Sequence, residues 1–535
     1  MSRIAPERVI WLGGWLLTIM AALWVRGLLP IDETRYVGVA WEMWLRGDFL
    51  VPHLNGQPYS HKPPFLFWMI NLGWWLFGVN EWWPRLLSSL FSLASLFLLV
   101  YFARLLRPGQ TAVHELAPLI LFSSLLWTLF STGTMFDIML AFWVLLAVVG
   151  VVRAAHKTDW LSWWITGLAL GVGMLSKGPV ILLHVLPLAL LAPFWVHREF
   201  NWKRWYGGLA LAVLIGVAII LAWAIPAGLA GGDKYFHDIF WGQTANRMVK
   251  SFAHQREWWW YLPLLPILLF PWLFWTPAWR RLAPAGPGDF QAGRLLLIWV
   301  LPVFLALSLI SGKQPHYLLP LFPAVALWLA MSSHDAEHKV KGSHHWLLAL
   351  MFILVALVWF IAPIISRDRP LPPWIEQLPQ WPVVVILLLG LAVLLPWSPR
   401  SLRTRSRVVA LSSITFTLVL LFSVMKTLYK PAFDLHEIST RIAALQENGQ
   451  TVAVAGKYHN QFQFLGRLKK PVDVVSWFQI KDWLKDKQPA YIVIVWKKRP
   501  ELHYQDDEFI QPYRGRWMVL LRRATLRTRP DLARP

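Results

Sequence analysis

Two adjacent carboxylates begin the first polar stretch of the chain. Asp32 and Glu33 follow an apolar run, and Arg35 and Tyr36 come shortly after them. A nearby guanidinium favours the ionised form of a carboxylate, which can then serve as a general base, so this spacing indicates proton-transfer chemistry. A structural role is the alternative, in which Asp32 caps a helix and Glu33 lies at its positive end. The two roles are compatible, and capping alone does not account for Arg35.

Lys62 lies beside a proline-fixed turn, directly after His61 and before two prolines. A lysine ammonium is a compact cation that suits a phosphate group. At a lipid surface the same side chain can instead extend past the apolar layer to reach water. Both interpretations are open for Lys62 alone.

Asp137 and Lys177 interrupt apolar runs farther along the chain. Asp137 lies at the edge of one run, and Lys177 lies at a Gly-Pro break between two others. Ionisable groups in such places are costly and are mostly functional. Lys177 is therefore a candidate partner of Asp137 or of an anion, and ordinary loop chemistry is the alternative for both residues.

Two later loops add cations and ring side chains. One contains Arg247 and His254, and the other places Lys313, His316 and Tyr317 at the head of an apolar run. Together the polar clusters suggest a site for an anionic substrate that is attached to a lipid.

The elements that hold these residues must be membrane helices. Of the 535 residues, 56% are apolar and only 15% are charged, which excludes an ordinary soluble protein. The 37 Trp, 30 Phe and 12 Tyr residues exclude a disordered chain, and the lack of Cys excludes disulfides and thiolate metal sites. A net charge of +22 would be typical of a nucleic-acid-binding protein if the chain were soluble. The basic residues, however, lie mostly in short clusters between apolar runs. We therefore expect a lipid bilayer as partner and no nucleic acid.

Thirteen apolar runs are candidates for membrane crossings, for which a helix needs about 20 residues. They cover residues 9–29, 84–106, 115–131, 135–153, 160–176, 179–196, 205–227, 260–279, 294–311, 317–332, 345–364, 382–397 and 408–426. Basic residues concentrate in alternate connections, which the positive-inside rule places in the cytoplasm together with the N-terminus. Loops 30–83 and 228–259 then face outward, and amphipathic helices at 37–45 and 66–76 suit the outer interface.

The composition changes near residue 430. Residues 430–535 contain 19 Lys or Arg and 11 Asp or Glu, which predicts a water-soluble α/β domain beside a membrane domain of residues 1–429. The predicted strands are 451–455, 472–475, 491–495 and 517–521, with a helix at 478–485. The odd number of spans places this domain outside the cell membrane, and a frayed tail is predicted from Arg522 onward.

The order of these motifs along the chain resembles that of one known family. The motifs are Asp32-Glu33-Thr34-Arg35-Tyr36, Gly47-Asp48-Phe49-Leu50-Val51-Pro52, Lys62-Pro63, Asp137, Lys177-Gly178-Pro179, Ser311-Gly312-Lys313 and His316-Tyr317-Leu318-Leu319-Pro320. As a set they are similar to the 4-amino-4-deoxy-L-arabinose transferase branch of the protein O-mannosyltransferase-like GT-C glycosyltransferases. The resemblance implies an α-helical polytopic membrane protein of the GT-C fold, with 13 spans and a small soluble α/β domain at its C-terminus.

Members of this family transfer a sugar from a polyprenyl phosphate donor, such as undecaprenyl phosphate, to an acceptor on the outer face of the bacterial inner membrane. The resemblance implies an inverting transfer with Asp32 as the catalytic carboxylate and with Lys62 and Arg247 near the carrier phosphate. The candidates for catalysis are Asp32, Glu33 and Asp137, and those for donor binding are Arg35, Tyr36, Lys62, Lys177, Arg247, Lys313, His316 and Tyr317. The C-terminal domain is expected in the periplasm.

One position departs from the family pattern. This chain has His61-Lys62-Pro63 where members that modify lipid A typically have Glu-Lys-Pro, and that Glu can join a His of the second long loop in holding a metal. His61 and His254 are therefore candidate zinc ligands, although no third ligand is evident. No cofactor is expected to be required, since Lys and Arg can stabilise a phosphate leaving group. The acceptor stays open between a lipid A-like molecule, another glycan and a protein.

A lipid or solute transporter or flippase is the alternative function. Alternating access needs a site near the membrane midplane, whereas these polar clusters are predicted on one face. A noncatalytic scaffold that presents the C-terminal domain is a second alternative, but it leaves the Asp-Glu, Lys-Pro and Lys-Gly-Pro motifs without a role.

Overall fold

The computed structural model of the chain describes residues 5–196, 201–242, 255–276, 287–335, 345–366, 373–395, 401–486, 488–500, 505 and 507–529. Helices dominate this part of the chain. Eight of the described helices are long and apolar enough to cross a membrane, and a bent pair adds up to one more. The chain is thus a helical, polytopic membrane protein with a small sheet near its C-terminus, as predicted.

The membrane part contains eighteen α-helices among its described residues, several of them short. They are α1 (Pro6–Val25), α2 (Asp32–Arg46), α3 (Phe65–Phe77), α4 (Trp82–Leu106), α5 (Thr111–Ser123), α6 (Leu125–Ser131), α7 (Phe136–Lys157), α8 (Trp160–Lys177), α9 (Val180–Leu190), α10 (Trp202–Gly231), α11 (Asp233–His237), α12 (Leu265–Leu268), α13 (Pro287–Leu309), α14 (Phe322–Asp335), α15 (Trp346–Ser366), α16 (Trp381–Leu394), α17 (Leu402–Leu420) and α18 (Lys426–Ala432). A small hairpin of β1 (His53–Leu54) and β2 (Gln57–Pro58) lies between α2 and α3.

The C-terminal region combines strands with short helices. Its elements are α19 (His436–Glu447), β3 (Thr451–Ala455), β4 (Asp473–Val475), α20 (Ile480–Lys485), β5 (Ala490–Trp496), β6 (Phe509–Tyr513), β7 (Arg516–Arg522) and α21 (Arg523–Thr528). The sheet order is β4-β3-β5-β7-β6. β3 pairs in parallel with β4 and β5, whereas β7 is antiparallel to β5 and β6.

The predicted span at 260–279 is not a continuous helix. Its described residues form two short 3-10 helices, Leu262–Leu264 and Trp272–Phe274, and the four-residue helix α12. Pro263, Pro266 and Pro271 explain the breaks, because proline has no amide hydrogen to donate and clashes with the preceding turn. The other predicted spans each overlap a helix, although α9 and α16 are shorter than a bilayer is thick. The number of 13 crossings therefore stays a prediction.

The bent pair α5 and α6 lies against this broken segment. The two helices meet at an angle of 69°, and the amide of Leu125 at the bend donates to the carbonyl of Phe270 at 3.0 Å. A backbone donor inside a membrane protein must find a protein partner, because lipid offers none. The broken segment satisfies the donor that the bend leaves open.

The two amphipathic segments between α1 and α4 form α2 and α3, as predicted. α3 buries Phe67 and Trp74 but leaves Leu72, Trp75 and Phe77 about half exposed or more. An exposed aromatic and aliphatic face on a short helix suits the interface between lipid and water. α2 is the more buried of the two, and it begins at the candidate residue Asp32.

The C-terminal sheet agrees with the prediction except at its edge and its end. β6 is absent from the prediction because Pro512 disfavours a strand, and the structure tolerates it at the edge position. The predicted frayed tail is wrong for its described part, since α21 buries Leu526. Arg523 supports this helix by lying over the ring of Trp483, with its guanidinium carbon 4.0 Å from the centroid. One apolar residue makes no periodic pattern, so the sequence does not reveal this helix.

The C-terminal region shares a core with α2 and α3 of the membrane part. Trp74 of α3 stacks on Phe464, with ring centroids 5.0 Å apart. Trp41 of α2 donates from its indole nitrogen to the carbonyl of Leu468 at 3.0 Å. Both contacts belong to one buried cluster that also includes Phe136 of α7. The predicted boundary near residue 430 marks a change of composition, and packing continues across it.

Candidate functional site

Asp32 is the first residue of α2, and its side chain is 51% exposed. One carboxylate oxygen accepts hydrogen bonds from the guanidinium of Arg35 and from the hydroxyl of Tyr36, the latter at 3.4 Å. Ile31 occupies the N-cap position, and no side chain bonds the cap amides. The interpretation of Asp32 as a helix cap is therefore wrong. The carboxylate is held in place by two side chains and stays open to a substrate.

Glu33 has the opposite environment, although it is the next residue. Its carboxylate is buried and forms a two-pronged ion pair with Arg26, at 2.7 and 3.1 Å. The amides of Leu29 and Thr134 donate to the same two oxygens, at 2.8 and 3.0 Å. Burial alone would raise the pKa of Glu33, but the charge and hydrogen bonds of Arg26 outweigh it and lower the pKa below its usual value.

The bonds of Glu33 favour a positioning role over the predicted catalytic one. They connect the end of α1, the start of α2 and the loop before α7, since the Arg26 guanidinium also donates to the carbonyl of Thr132 at 3.1 Å. Glu33 thus determines where α2 begins and where Asp32 lies. Both of its oxygens are already engaged by these donors.

Asp137, Lys177, His316 and Tyr317 form a second cluster. Asp137 is in the first turn of α7 and is 3% exposed, and it accepts a hydrogen bond from Lys177 at the end of α8. The Nε2 atom of His316 lies 3.8 Å from the other oxygen of Asp137. The Lys177 ammonium also lies over the ring of Tyr317, 4.5 Å from its centroid. The predicted pairing of Lys177 with Asp137 is confirmed, and three distant segments meet here.

Phe136 joins the two clusters. The ring of Tyr36 meets it edge to face, with centroids 4.8 Å apart. The ammonium of Lys62 lies over the same ring, 5.3 Å from its centroid, and Asp137 is the next residue in the chain. The open carboxylate of Asp32 and the cations Lys62 and Lys177 therefore belong to one site.

Lys313, a predicted donor-binding residue, bonds to backbone carbonyls. It is 2% exposed, and its ammonium donates to the carbonyls of Ile310 and Arg256, at 2.6 and 2.9 Å. The amide of Arg256 in turn donates to the carbonyl of Ser311 at 3.0 Å. Lys313 thus connects the segment of Arg256 to the segment that precedes His316, which makes it a support of the site.

Of the two candidate metal ligands, His61 lies among the described residues and His254 does not. His61 is exposed, with its ring centroid 5.3 Å from that of Tyr59. His254 lies outside the described residues, as does the predicted phosphate ligand Arg247. Among the residues that are described, no three His, Asp or Glu side chains are grouped as a metal site would need.

Comparison with known proteins identifies the family. The sequence profile described as dolichyl-phosphate-mannose-protein mannosyltransferase matches residues 61–223. The undecaprenyl phosphate-alpha-4-amino-4-deoxy-L-arabinose arabinosyl transferase 1 of Sodalis glossinidius is 33% identical over 397 residues, which cover 70% of this chain and 68% of that protein. The corresponding transferase 2 of Pseudomonas fluorescens is 32% identical over 395 residues, covering 71% and 69%. The chain belongs to the aminoarabinose transferase family.

This membership makes the chain a membrane glycosyltransferase with a donor sugar linked to a lipid phosphate. ArnT from Cupriavidus metallidurans, in a crystal structure bound to undecaprenyl phosphate, superimposes with a TM-score of 0.75 at 20% identity, over 96% of this chain and 98% of that one. The likeness shows a common GT-C fold. The resemblance read from the motifs is confirmed, and the transporter and scaffold alternatives are wrong.

Three residues near the site of this aminoarabinose transferase family member are not predicted from the sequence. Arg26 falls inside a predicted span, and Phe136 is one apolar residue among many. His459, from the C-terminal region, is half-buried, and burial followed by the charge of Arg35 lowers its pKa. The pKa of His459 thus responds to a charge at the start of α2, although His459 belongs to the C-terminal region. No local pattern marks it, because its partner is more than 400 residues earlier in the chain.

Proposed function

We propose that the chain transfers a sugar from undecaprenyl phosphate to an acceptor at the periplasmic face of the bacterial inner membrane. The names of the relatives favour 4-amino-4-deoxy-L-arabinose as the sugar. The observation that carries the proposal is the open carboxylate of Asp32, which accepts from Tyr36, together with the Lys62 ammonium on the same Phe136 ring that Tyr36 contacts. Lys177 bonds to Asp137, the residue after Phe136. An acid–base group and cations are what the displacement of a phosphate requires.

The proposed reaction is a single inverting displacement. An acceptor hydroxyl attacks the anomeric carbon while Asp32 takes its proton. The bond from that carbon to the phosphate oxygen breaks, and its electron pair stays on the polyprenyl phosphate. Arg35 and Tyr36 orient the Asp32 carboxylate through their hydrogen bonds. The cations stabilise the growing charge on the phosphate, so a metal ion is not required.

Lys62 is the proposed contact to the carrier phosphate. It lies on the face of Phe136, which also contacts Tyr36 next to Asp32. Lys177 is oriented by its bond to Asp137 and by the ring of Tyr317, so it supports the same region from the other side. Arg247 is assigned to the phosphate by family resemblance. Any acceptor among a lipid A-like molecule, another glycan and a protein is compatible with this arrangement.

The variant Lys62→Ala is expected to raise the KM for the donor by about tenfold or more, since a hydrogen bond to a charged group contributes about 1.5–3 kcal/mol. The KM for the acceptor should change much less. Separate titrations of the two substrates with purified protein measure this. Lys234→Ala is the matched control, because Lys234 is an exposed lysine of the second outer loop. Equal changes in both KM values would remove Lys62 from the phosphate site.

The proposed orientation has the N-terminus in the cytoplasm and the C-terminal region in the periplasm. The chain has no native cysteine, so single cysteines report position without background. We expect Gln255→Cys and Asn448→Cys, both at exposed positions, to react with a membrane-impermeant maleimide in intact cells. Lys157→Cys, at the end of α7, should react only after the inner membrane is opened. Protection of position 255 or 448 would contradict the orientation.

A further inference from the structure

We propose that Glu42 is a positioning residue of the transferase site, which keeps α2 in register with the segment that carries Lys62. The inference rests on the proposed function, because it assigns Asp32 and Lys62 to one reaction. Glu42 lies ten residues after Asp32 on the same helix, about 15 Å along its axis. It takes no part in the reaction itself.

The Glu42 carboxylate is 7% exposed and is occupied on both oxygens. One oxygen accepts from the amide of Asn55 at 2.5 Å and from the side-chain amide of Asn460 at 2.7 Å. The other accepts from the amide of Gly56 at 2.8 Å. All three donors are uncharged, and burying a carboxylate is costly unless such bonds satisfy it. The two oxygens hold three separate N–H groups, a task that no neutral side chain of this size can do.

The bonds of Glu42 reach the outer hairpin and the C-terminal region at the same time. Asn55 and Gly56 form the turn between β1 and β2, where both have positive φ, at 52° and 81°. Asn55 continues the connection through its side chain, which donates to the carbonyl of Val472 at 2.9 Å and accepts from its amide at 3.0 Å. A movement of α2 would therefore break contacts to two other parts of the protein.

Close packing at Gly38 also fixes the position of α2 against the C-terminal region. A Cβ atom at Gly38 would lie 3.0 Å from the carbonyl oxygen of Asn460 and 3.1 Å from its Cβ. The helix and the Asn460 segment thus approach as closely as backbone allows, only one to two turns after Asp32. Gly38 and Glu42, one turn apart, hold the same asparagine.

The hairpin transmits this position to Lys62. The amide of Tyr59, just after β2, donates to the carbonyl of Pro52, just before β1, at 2.7 Å. This bond closes the base of the hairpin, and Lys62 follows three residues later. Glu42 consequently sets the distance between the base at the start of α2 and the proposed phosphate ligand. A misplacement of about 1 Å between reacting groups can cost about 100-fold in rate.

The test compares Glu42→Gln, Asn460→Asp and the double variant. In Glu42→Gln the new amide N–H faces other donors, and in Asn460→Asp a second carboxylate faces the first. Each single variant should therefore lower kcat about 10- to 100-fold with little change in donor KM. In the double variant the introduced glutamine amide can donate to the introduced aspartate, and part of kcat should return. Glu437→Gln is the control, since Glu437 forms an exposed ion pair with Arg441 within α19.

A readout without activity separates this inference from the proposed function. Hydrogen exchange of the amides at Asn55 and Gly56 should become faster in Glu42→Gln and should slow again in the double variant. If the wild type transfers no sugar but exchange follows this pattern, the proposed function fails while the connection holds. An unchanged kcat in folded Glu42→Gln, or a fall in kcat that the double variant does not reverse, overturns the inference. If Glu42→Gln does not accumulate, Asn460→Ala, which removes one donor only, is measured with the same expectation and the same overturning result.

Discussion

Replacing Asp32 by asparagine is expected to lower the rate of sugar transfer by about 10²- to 10⁴-fold, the usual contribution of a general base. Asparagine has nearly the same shape and keeps an oxygen for the hydrogen bonds from Arg35 and Tyr36. It cannot accept the proton of the acceptor hydroxyl. Product formation with purified donor and acceptor measures the effect. Because the side chain is half exposed, the thermal stability should hardly change.

Asp233→Asn is the matched control for this variant, since Asp233 is an exposed aspartate at the start of α11. It should transfer sugar at the wild-type rate. A rate within a few-fold of wild type for Asp32→Asn would contradict the assignment of the base. The proton acceptor would then have to be sought at Asp137, the other carboxylate in contact with the cations of the site.

Replacing Glu33 by glutamine is expected to destabilise the folded protein by about 3–5 kcal/mol, the usual cost of removing one partner from a buried ion pair. The guanidinium of Arg26 would stay buried without its counter-charge. The amides of Leu29 and Thr134 would compete for the one remaining oxygen. Thermal unfolding in detergent, followed by the loss of soluble monomer, measures the change.

The exposed Glu447 at the end of α19 is the control, and Glu447→Gln should leave the unfolding temperature unchanged. Glu33→Gln should lose activity only to the extent that it loses folded protein. A variant that is as stable as wild type but inactive would contradict the positioning role and favour Glu33 as a catalytic group.

The pH dependence of stability follows from the lowered pKa of Glu33. The folded state stabilises the ionised form of Glu33. The contribution of Glu33 to the free energy of unfolding is therefore complete above its usual pKa of 4.5 and is lost as the pH falls through the lowered pKa. Glu33→Gln removes this contribution, and the variant should lose less stability on acidification than the wild type.

The sequence predicts much of the architecture because its signals are local. Long apolar runs reveal the helices. The placement of the polar residues on one side, from the alternation of basic connections, stays a prediction. The failures at 260–279 and at the bend after Ser123 come from backbone breaks, which hydropathy does not register. Amphipathic periodicity predicts helices at 37–45 and 66–76, which lie within α2 and α3, but it does not show that α2 begins at Asp32.

The roles of neighbouring polar residues are harder to predict, since burial decides them. Asp32 and Glu33 look alike in sequence, yet one is exposed and the other is enclosed with Arg26. Lys313 resembles a phosphate ligand, but its ammonium holds two backbone carbonyls. Asn460 reaches α2 from the C-terminal region, and no spacing rule connects it to that helix.

The central claim is that the site of Asp32 and Lys62 binds a sugar linked to undecaprenyl phosphate. The most direct test loads the purified Asp32→Asn variant, which should bind the donor without consuming it, with a bacterial inner-membrane lipid extract. Mass spectrometry then identifies the lipid that stays bound after washing, with the Lys62→Ala variant treated in parallel. We predict that Asp32→Asn retains undecaprenyl phosphate carrying 4-amino-4-deoxy-L-arabinose and that Lys62→Ala retains much less of it. The claim would be contradicted if Asp32→Asn retained only bulk phospholipids, in the same amount as Lys62→Ala.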